Sequence, residues 1–117
     1  MLAARMTDRR RLEHILAAID EITRYAAAGR AAFDQNELIQ SWIIHRVLVI
    51  GEAAAQLSEA FRKKYPATPF RQIIGMRNLL IHQYHQIDLN AVWSVVEQDL
   101  TPLRADVIAM LAAEPKS

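Results

Sequence analysis

The side chains of this sequence whose types and spacing could do chemistry lie between Gly75 and His85. The run Gly75-Met-Arg-Asn-Leu-Leu-Ile-His-Gln-Tyr84 carries a guanidinium at Arg77, an amide at Asn78 and an imidazole at His82, with His85 three residues on. Arg77 follows Phe70, Ile73 and Ile74 by seven, four and three residues, so in a helix a permanent charge occupies the apolar stripe. A charge there needs a partner or a ligand. The bland alternative pairs Arg77 with a buried carboxylate such as Glu52 and makes His82 a satisfied interface histidine. The chemical alternative is a matched set, because a guanidinium fork suits phosphate oxygens and an imidazole titrates near neutrality. RNA cleavage without a metal needs such a set: a base for the ribose 2′-OH, an acid for the leaving 5′-oxygen, and a cation for the charge developing on the phosphate. Arg77 and His82 are five residues apart, about 140° around an ideal helix, and can flank one groove better than they can touch. Asn78 and His82, four apart, share a face.

The other histidines offer less. His82-x-x-His85 lacks a third metal ligand at helical spacing, and no His-Glu-x-x-His occurs. His14 and His45 sit among surface-type residues and read as solvated. The absence of Cys excludes disulfides, thiol catalysis and cysteine zinc sites, and fits a reducing, cytoplasmic setting. Fourteen basic against 13 acidic residues neither demand nor exclude nucleic acid, so any RNA contact must be local. The N-terminal residues show no apolar signal core, and no 18 apolar residues run without a charge, so neither secretion nor a membrane span is expected.

The elements that must position these groups are helical. The chain has 117 residues, enough for one core, and only 7 Gly and Pro where average usage gives about 14, which argues against a sandwich or barrel. Four main helices are expected near 8–28, 36–64, 69–84 and 89–112, with no sheet. The first carries Leu12, Ile15, Leu16, Ile19 and Ile22, with Thr7 or Asp8 as its cap, and a loop from Gly29 to Asn36 follows. The second runs past six turns, and Gly51 in its middle points to close helix packing there. The third starts at a Thr68 cap with Pro69 in the first helical position. The fourth is capped by Asp88 and kinked by Pro102, whose ring crowds the carbonyl of Gln98. Met6 is a second plausible start, so residues 1–6 read as an N-terminal extension, 7–112 as the domain and 113–117 as a frayed tail.

Arg77-x4-His82-x-Tyr84 resembles the R-x4-H-x-Y signature of the HepT-like branch of the HEPN superfamily, helical ribonucleases that act as toxins. The surroundings are similar in the same order: Ile50-Gly-Glu-Ala-Ala, Tyr65-Pro, Pro69-Phe70, Ile74-Gly-Met-Arg-Asn, and Ile87-Asp88 followed by Val92-Trp93. The likeness spans Thr7 to Met110 and departs at Ile81, bulkier than usual before the histidine, and at His85, which replaces a frequent aromatic.

The resemblance implies an all-α, up-and-down bundle of four to five helices that forms a homodimer with two motifs lining one cleft. Arg77 and His82 carry over as the catalytic pair and Asn78 as their support, with no metal and no cofactor. Tyr84 matches the tyrosine to which a partner antitoxin, a minimal nucleotidyltransferase, attaches AMP from ATP. The function implied is the toxin of a type VII-like toxin–antitoxin pair, a metal-independent endoribonuclease cleaving RNA, with tRNA as a substrate by family analogy. The alternatives are a non-catalytic helical adaptor that binds a nucleotidyltransferase or a nucleotide, and a plain dimerisation module. An intact Arg77/His82 pair favours the enzyme.

Overall fold

Leu12, Ile15, Ile19 and Ile22 recur at helical spacing and form the buried stripe of α1 (Asp8–Ala26). Thr7 caps it, its hydroxyl accepting the Arg10 N–H at 3.1 Å. The computed structural model describes residues 7–115, so the expected extension over 1–6 and the last two residues of the expected tail lie outside it. The described residues form an all-α bundle without a strand, as the low Gly and Pro content implies.

Local order exceeds the expectation between α1 and the second long helix. Gly29 takes φ +93°, a left-handed conformation that suits glycine, and opens a six-residue helix, α2 (Arg30–Gln35), within the expected loop. Burial holds it there: Phe33 is fully buried, its ring 5.1 Å from that of Trp93. The Asn36 carboxamide oxygen then accepts from Leu38 and Ile39 and starts α3 (Glu37–Gln56).

The long second helix expected to reach residue 64 stops at Gln56. Asp8 accepts hydrogen bonds from the Ser58 backbone N–H at 2.9 Å and from its hydroxyl at 2.8 Å, while the same hydroxyl accepts from Phe61 N–H. These bonds, two of them to α1, favour an extended Leu57 and a fresh start at α4 (Glu59–Lys63). By length and mean hydropathy α3 could cross a membrane. Here it is the central helix, packed between α1 and α5, with Arg46 paired to Glu21 of α1 at 2.9 Å.

α5 (Phe70–His82) begins without the expected threonine cap, because Thr68 turns inward and donates to Asp106 at 3.0 Å, leaving Pro69 as the flanking residue. The helix ends at His82, and a single 3₁₀ turn, Tyr84–Gln86, leads to the Asp88 cap of α6 (Leu89–Ser94). Residues 95–99 then form a π-helical turn before α7 (Leu100–Ala113). That turn includes Gln98, whose carbonyl the ring of Pro102 would otherwise crowd, so a widened turn takes up the irregularity expected at this proline. Beyond α7, Glu114 is tied down: its carboxylate accepts from Tyr65 Oη at 2.7 Å and from Lys64 Nζ at 3.0 Å, and its carbonyl from Arg9. Of the frayed tail expected over 113–117, Ala113 instead closes α7 and Glu114 is held by these bonds.

The core lies where α1, α3 and the α6–α7 segment meet, with Leu12, Ile19, Ile43, Ile50, Val92 and Val107 buried. α5 packs chiefly on α3. Its opposite face is left uncovered, and Asn78, Leu79 and His82 are exposed.

Candidate functional site

The site is built on the contact between α5 and α3. A Cβ added to Gly51 of α3 would stand 2.3 Å from Cβ of Arg77 and 2.8 Å from its Cγ. Glycine therefore lets the stem of Arg77 press against the backbone of α3, which is the close packing that a mid-helix glycine implied. The Arg77 side chain is 22% exposed, and Nη2 of its guanidinium lies 3.5 Å from Oε2 of Glu52. Glu52 is thus the partner that the bland alternative named, but it is 54% exposed and not a buried carboxylate. Nε of Arg77 is buried and has no hydrogen-bond partner. A single contact at this length leaves most of the fork free for a ligand.

Arg77 lines an open groove of about 420 Å³ formed by α1, α3 and α5. Leu48, Val49 and Ala53 are among its lining residues on α3, and Ile81 on α5. Arg11 and His14 of α1 and His45 of α3 also line it, a contribution the sequence reading missed by treating both histidines as ordinary solvated positions. They are exposed, yet they share the groove with Arg77. A signal for this side existed: Arg11 precedes Ile15, Ala18 and Ile22 by four, seven and eleven residues, the same intrusion of a charge on a stripe that marks Arg77.

Asn78 faces elsewhere. It lines a second open groove between α4 and α5 with Arg62, Lys63, Arg71 and Gly75. Arg71, Gly75, Asn78 and His82 follow one another by four, three and four residues and so form the outer face of α5. One chain therefore presents Arg77 to one groove and Asn78 to another, with exposed His82 closing the helix.

Tyr84 differs from its expected setting. The sequence reading carries the helix to residue 84 and packs the ring along the stripe. The helix instead ends two residues earlier, and Tyr84 is 70% exposed, its ring 5.7 Å from that of His85 in an edge-on arrangement. A core tyrosine is thereby excluded, and the hydroxyl is open to another molecule. His85 leaves the α5 face with the same turn, so it does not sit one helical turn beyond His82. Among the described residues no three His, Cys, Asp or Glu side chains gather as a metal site.

Residues 15–110 match the family described as Ribonuclease HepT-like. The probable ribonuclease HepT of Thermococcus cleftensis is 30% identical over 86 residues, 74% of this chain and 76% of the relative. A protein of Caldanaerobacter subterraneus subsp. tengcongensis, designated a candidate RNase, is 29% identical over 109 residues, 92% of this chain and 97% of the relative. Another candidate RNase, from Methanocaldococcus jannaschii, is 35% identical over 75 residues, 64% of this chain and 69% of the relative. No solved structure gives a significant match. With the matched region spanning α3, the glycine contact and the whole of α5, the chain belongs to the HepT-like ribonuclease family.

Proposed function

We propose that the chain is the toxin of a type VII-like toxin–antitoxin pair, a metal-independent endoribonuclease acting in the cytoplasm with Arg77 and His82 as its catalytic residues. The observation that carries this reading is Arg77 itself: a half-buried guanidinium on an apolar stripe, with a buried unpartnered Nε and one long contact to a carboxylate. Such a fork is underused by its own chain and suited to a phosphate. In the reaction His82 takes the proton of the ribose 2′-OH. O2′ then attacks phosphorus, and the P–O5′ bond breaks as O5′ receives a proton from an imidazolium, leaving a 2′,3′-cyclic phosphate. Arg77 stabilises the charge gathered on the non-bridging oxygens. Asn78 supports the pair from the outer face.

A homodimer across that outer face is part of the proposal. Because Arg77 and Asn78 open onto different grooves of one chain, a second copy is needed to gather both motifs at one cleft. Leu79 and Ile81, 45% and 50% exposed, supply apolar surface for it. Tyr84 is proposed as the site at which a minimal nucleotidyltransferase attaches AMP from ATP, placing phosphate charge at the cleft and occupying Arg77. Its exposure supports that role.

His82→Ala and Arg77→Ala test the reading. Each is expected to reduce RNA cleavage by about 10²–10⁴-fold with helix content unchanged and with full wild-type activity in EDTA. Cleavage that survives His82→Ala, or that requires a divalent metal, would refute it.

A further inference from the structure

Arg77 is the last member of a chain of polar contacts that starts in the core. Arg11, only 8% exposed on α1, donates to Oε1 of Gln56. Gln56 in turn donates from Nε2 to Oε1 of Glu52 at 2.7 Å. The second oxygen of Glu52 faces Nη2 of Arg77. Both ends of the Gln56 amide are thus used, and its orientation fixes which way the carboxylate of Glu52 points.

An ion pair this exposed does little for the fold. With Glu52 54% exposed and the contact at 3.5 Å, its contribution to stability belongs at the low end for surface pairs. What the contacts do fix is direction. The stem of Arg77 is pinned against Gly51, and Glu52 takes one edge of the fork. A guanidinium that is held before substrate arrives need not be ordered during the reaction.

We infer that Glu52 is a positioning residue for Arg77, its carboxylate oriented by Gln56 and Arg11 so that the guanidinium is aimed at the RNA phosphate. The inference rests on the proposed role of Arg77. It also makes an asymmetric statement about kinetics. A carboxylate beside a phosphate site repels phosphate, so removing its charge favours RNA binding while releasing the guanidinium from its orientation. Binding and turnover then move in different directions.

Glu52→Gln in the full-length chain is the test, read in three ways. The turnover number kcat is expected to fall by about tenfold, from the cost of a loosened catalytic group, with KM unchanged or lowered. The melting temperature is expected to stay within about 4 °C of wild type. In RNA-free protein labelled at arginine, nuclear magnetic resonance is expected to show faster rotation of the Arg77 Nη groups. Gln56→Ala should shift kcat and Nη rotation in the same direction by less. In an Arg77→Lys background, Glu52→Gln should add no further loss of kcat, because its effect runs through the guanidinium. An unchanged or raised kcat, or Nη rotation equal to wild type, overturns the inference. A wild-type chain that cleaves no RNA would instead refute the proposed function, and Nη rotation, measured without RNA, would still decide whether Glu52 holds Arg77.

Discussion

Gly51→Ala is the sharpest probe of the contact on which the site depends. In an ordinary helix interior the change stabilises by about 1 kcal/mol, because alanine is the better helix former. Here the new methyl would lie 2.3 Å from Cβ of Arg77, and an ordinary contact begins at 3.4 Å. The gap must open by about 1.1 Å, and Cβ cannot swing aside because it is fixed to the α5 backbone. α5 must therefore shift as a body. Overpacking of this kind costs about 1–3 kcal/mol, so after the propensity gain the net loss is about 0–2 kcal/mol. The melting temperature should fall by no more than roughly 8 °C, and the bundle should stay folded. Catalysis is far less tolerant, since a 1 Å misplacement of a catalytic group costs about 10²-fold. Cleavage followed through the 2′,3′-cyclic phosphate, alongside a thermal melt, separates the two effects. An alanine variant of raised melting temperature and full activity would show that Arg77 does not press on Gly51, and the account of the site would fail with it.

Gly75 supplies the contrast: nothing lies within 4 Å of the Cβ it lacks, so Gly75→Ala should gain about 1 kcal/mol in a thermal melt of the monomer, and a lowered melting temperature would contradict the open outer face of α5. The carboxyl of Glu114 is held below its ordinary value of 4.5, first by the Tyr65 hydroxyl and then by the Lys64 ammonium. Its tether therefore stabilises the end of α7 above about that pH and is lost as pH falls through the depressed value, and Glu114→Gln should remove this dependence from amide exchange of the last α7 turn. On the proposed regulation, Tyr84→Phe should cleave RNA as wild type does yet resist neutralisation by the partner nucleotidyltransferase, with no AMP-sized mass increment on its peptide. Covalent neutralisation at another residue would refute the assignment of Tyr84.

What could be read in advance was periodicity, and what could not was set by contacts between distant residues. The stripe of α1, the helical nature of α3 despite its β-branched run, and the glycine contact at position 51 all follow from spacing within a single helix. The break after Gln56 does not, because the residue that ends the helix is Asp8, 50 positions away. Phe33 likewise makes a helix of an expected loop through a neighbour, Trp93, that local sequence cannot announce. Thr68 looked like a cap because threonine before proline usually is one, and Asp106 drew its hydroxyl inward. At the candidate site, Arg77 was legible as a charge out of place on an apolar stripe. The groove wall from α1 was marked only by Arg11 on its stripe, and joining it to the site needed the antiparallel pairing that brings Arg11 to Gln56.

A helix that packs mainly on one neighbour keeps a free face, and α5 uses its two faces differently. Its inner face holds the half-buried Arg77, with a glycine facing it in α3 and an unpartnered Nε. Its outer face spends exposure on Asn78 and His82, and the chain after His82 leaves the helix at once and exposes Tyr84. Had α5 continued to residue 84, Tyr84 would lie seven residues beyond Arg77 on the same stripe and face α3 instead of solvent. The early stop at His82 therefore separates a residue anchored against the bundle from one open to a second molecule, within eight positions of sequence. A longer α5 is thus incompatible with modification at Tyr84, and the helix end belongs to the proposed regulation as much as the tyrosine does.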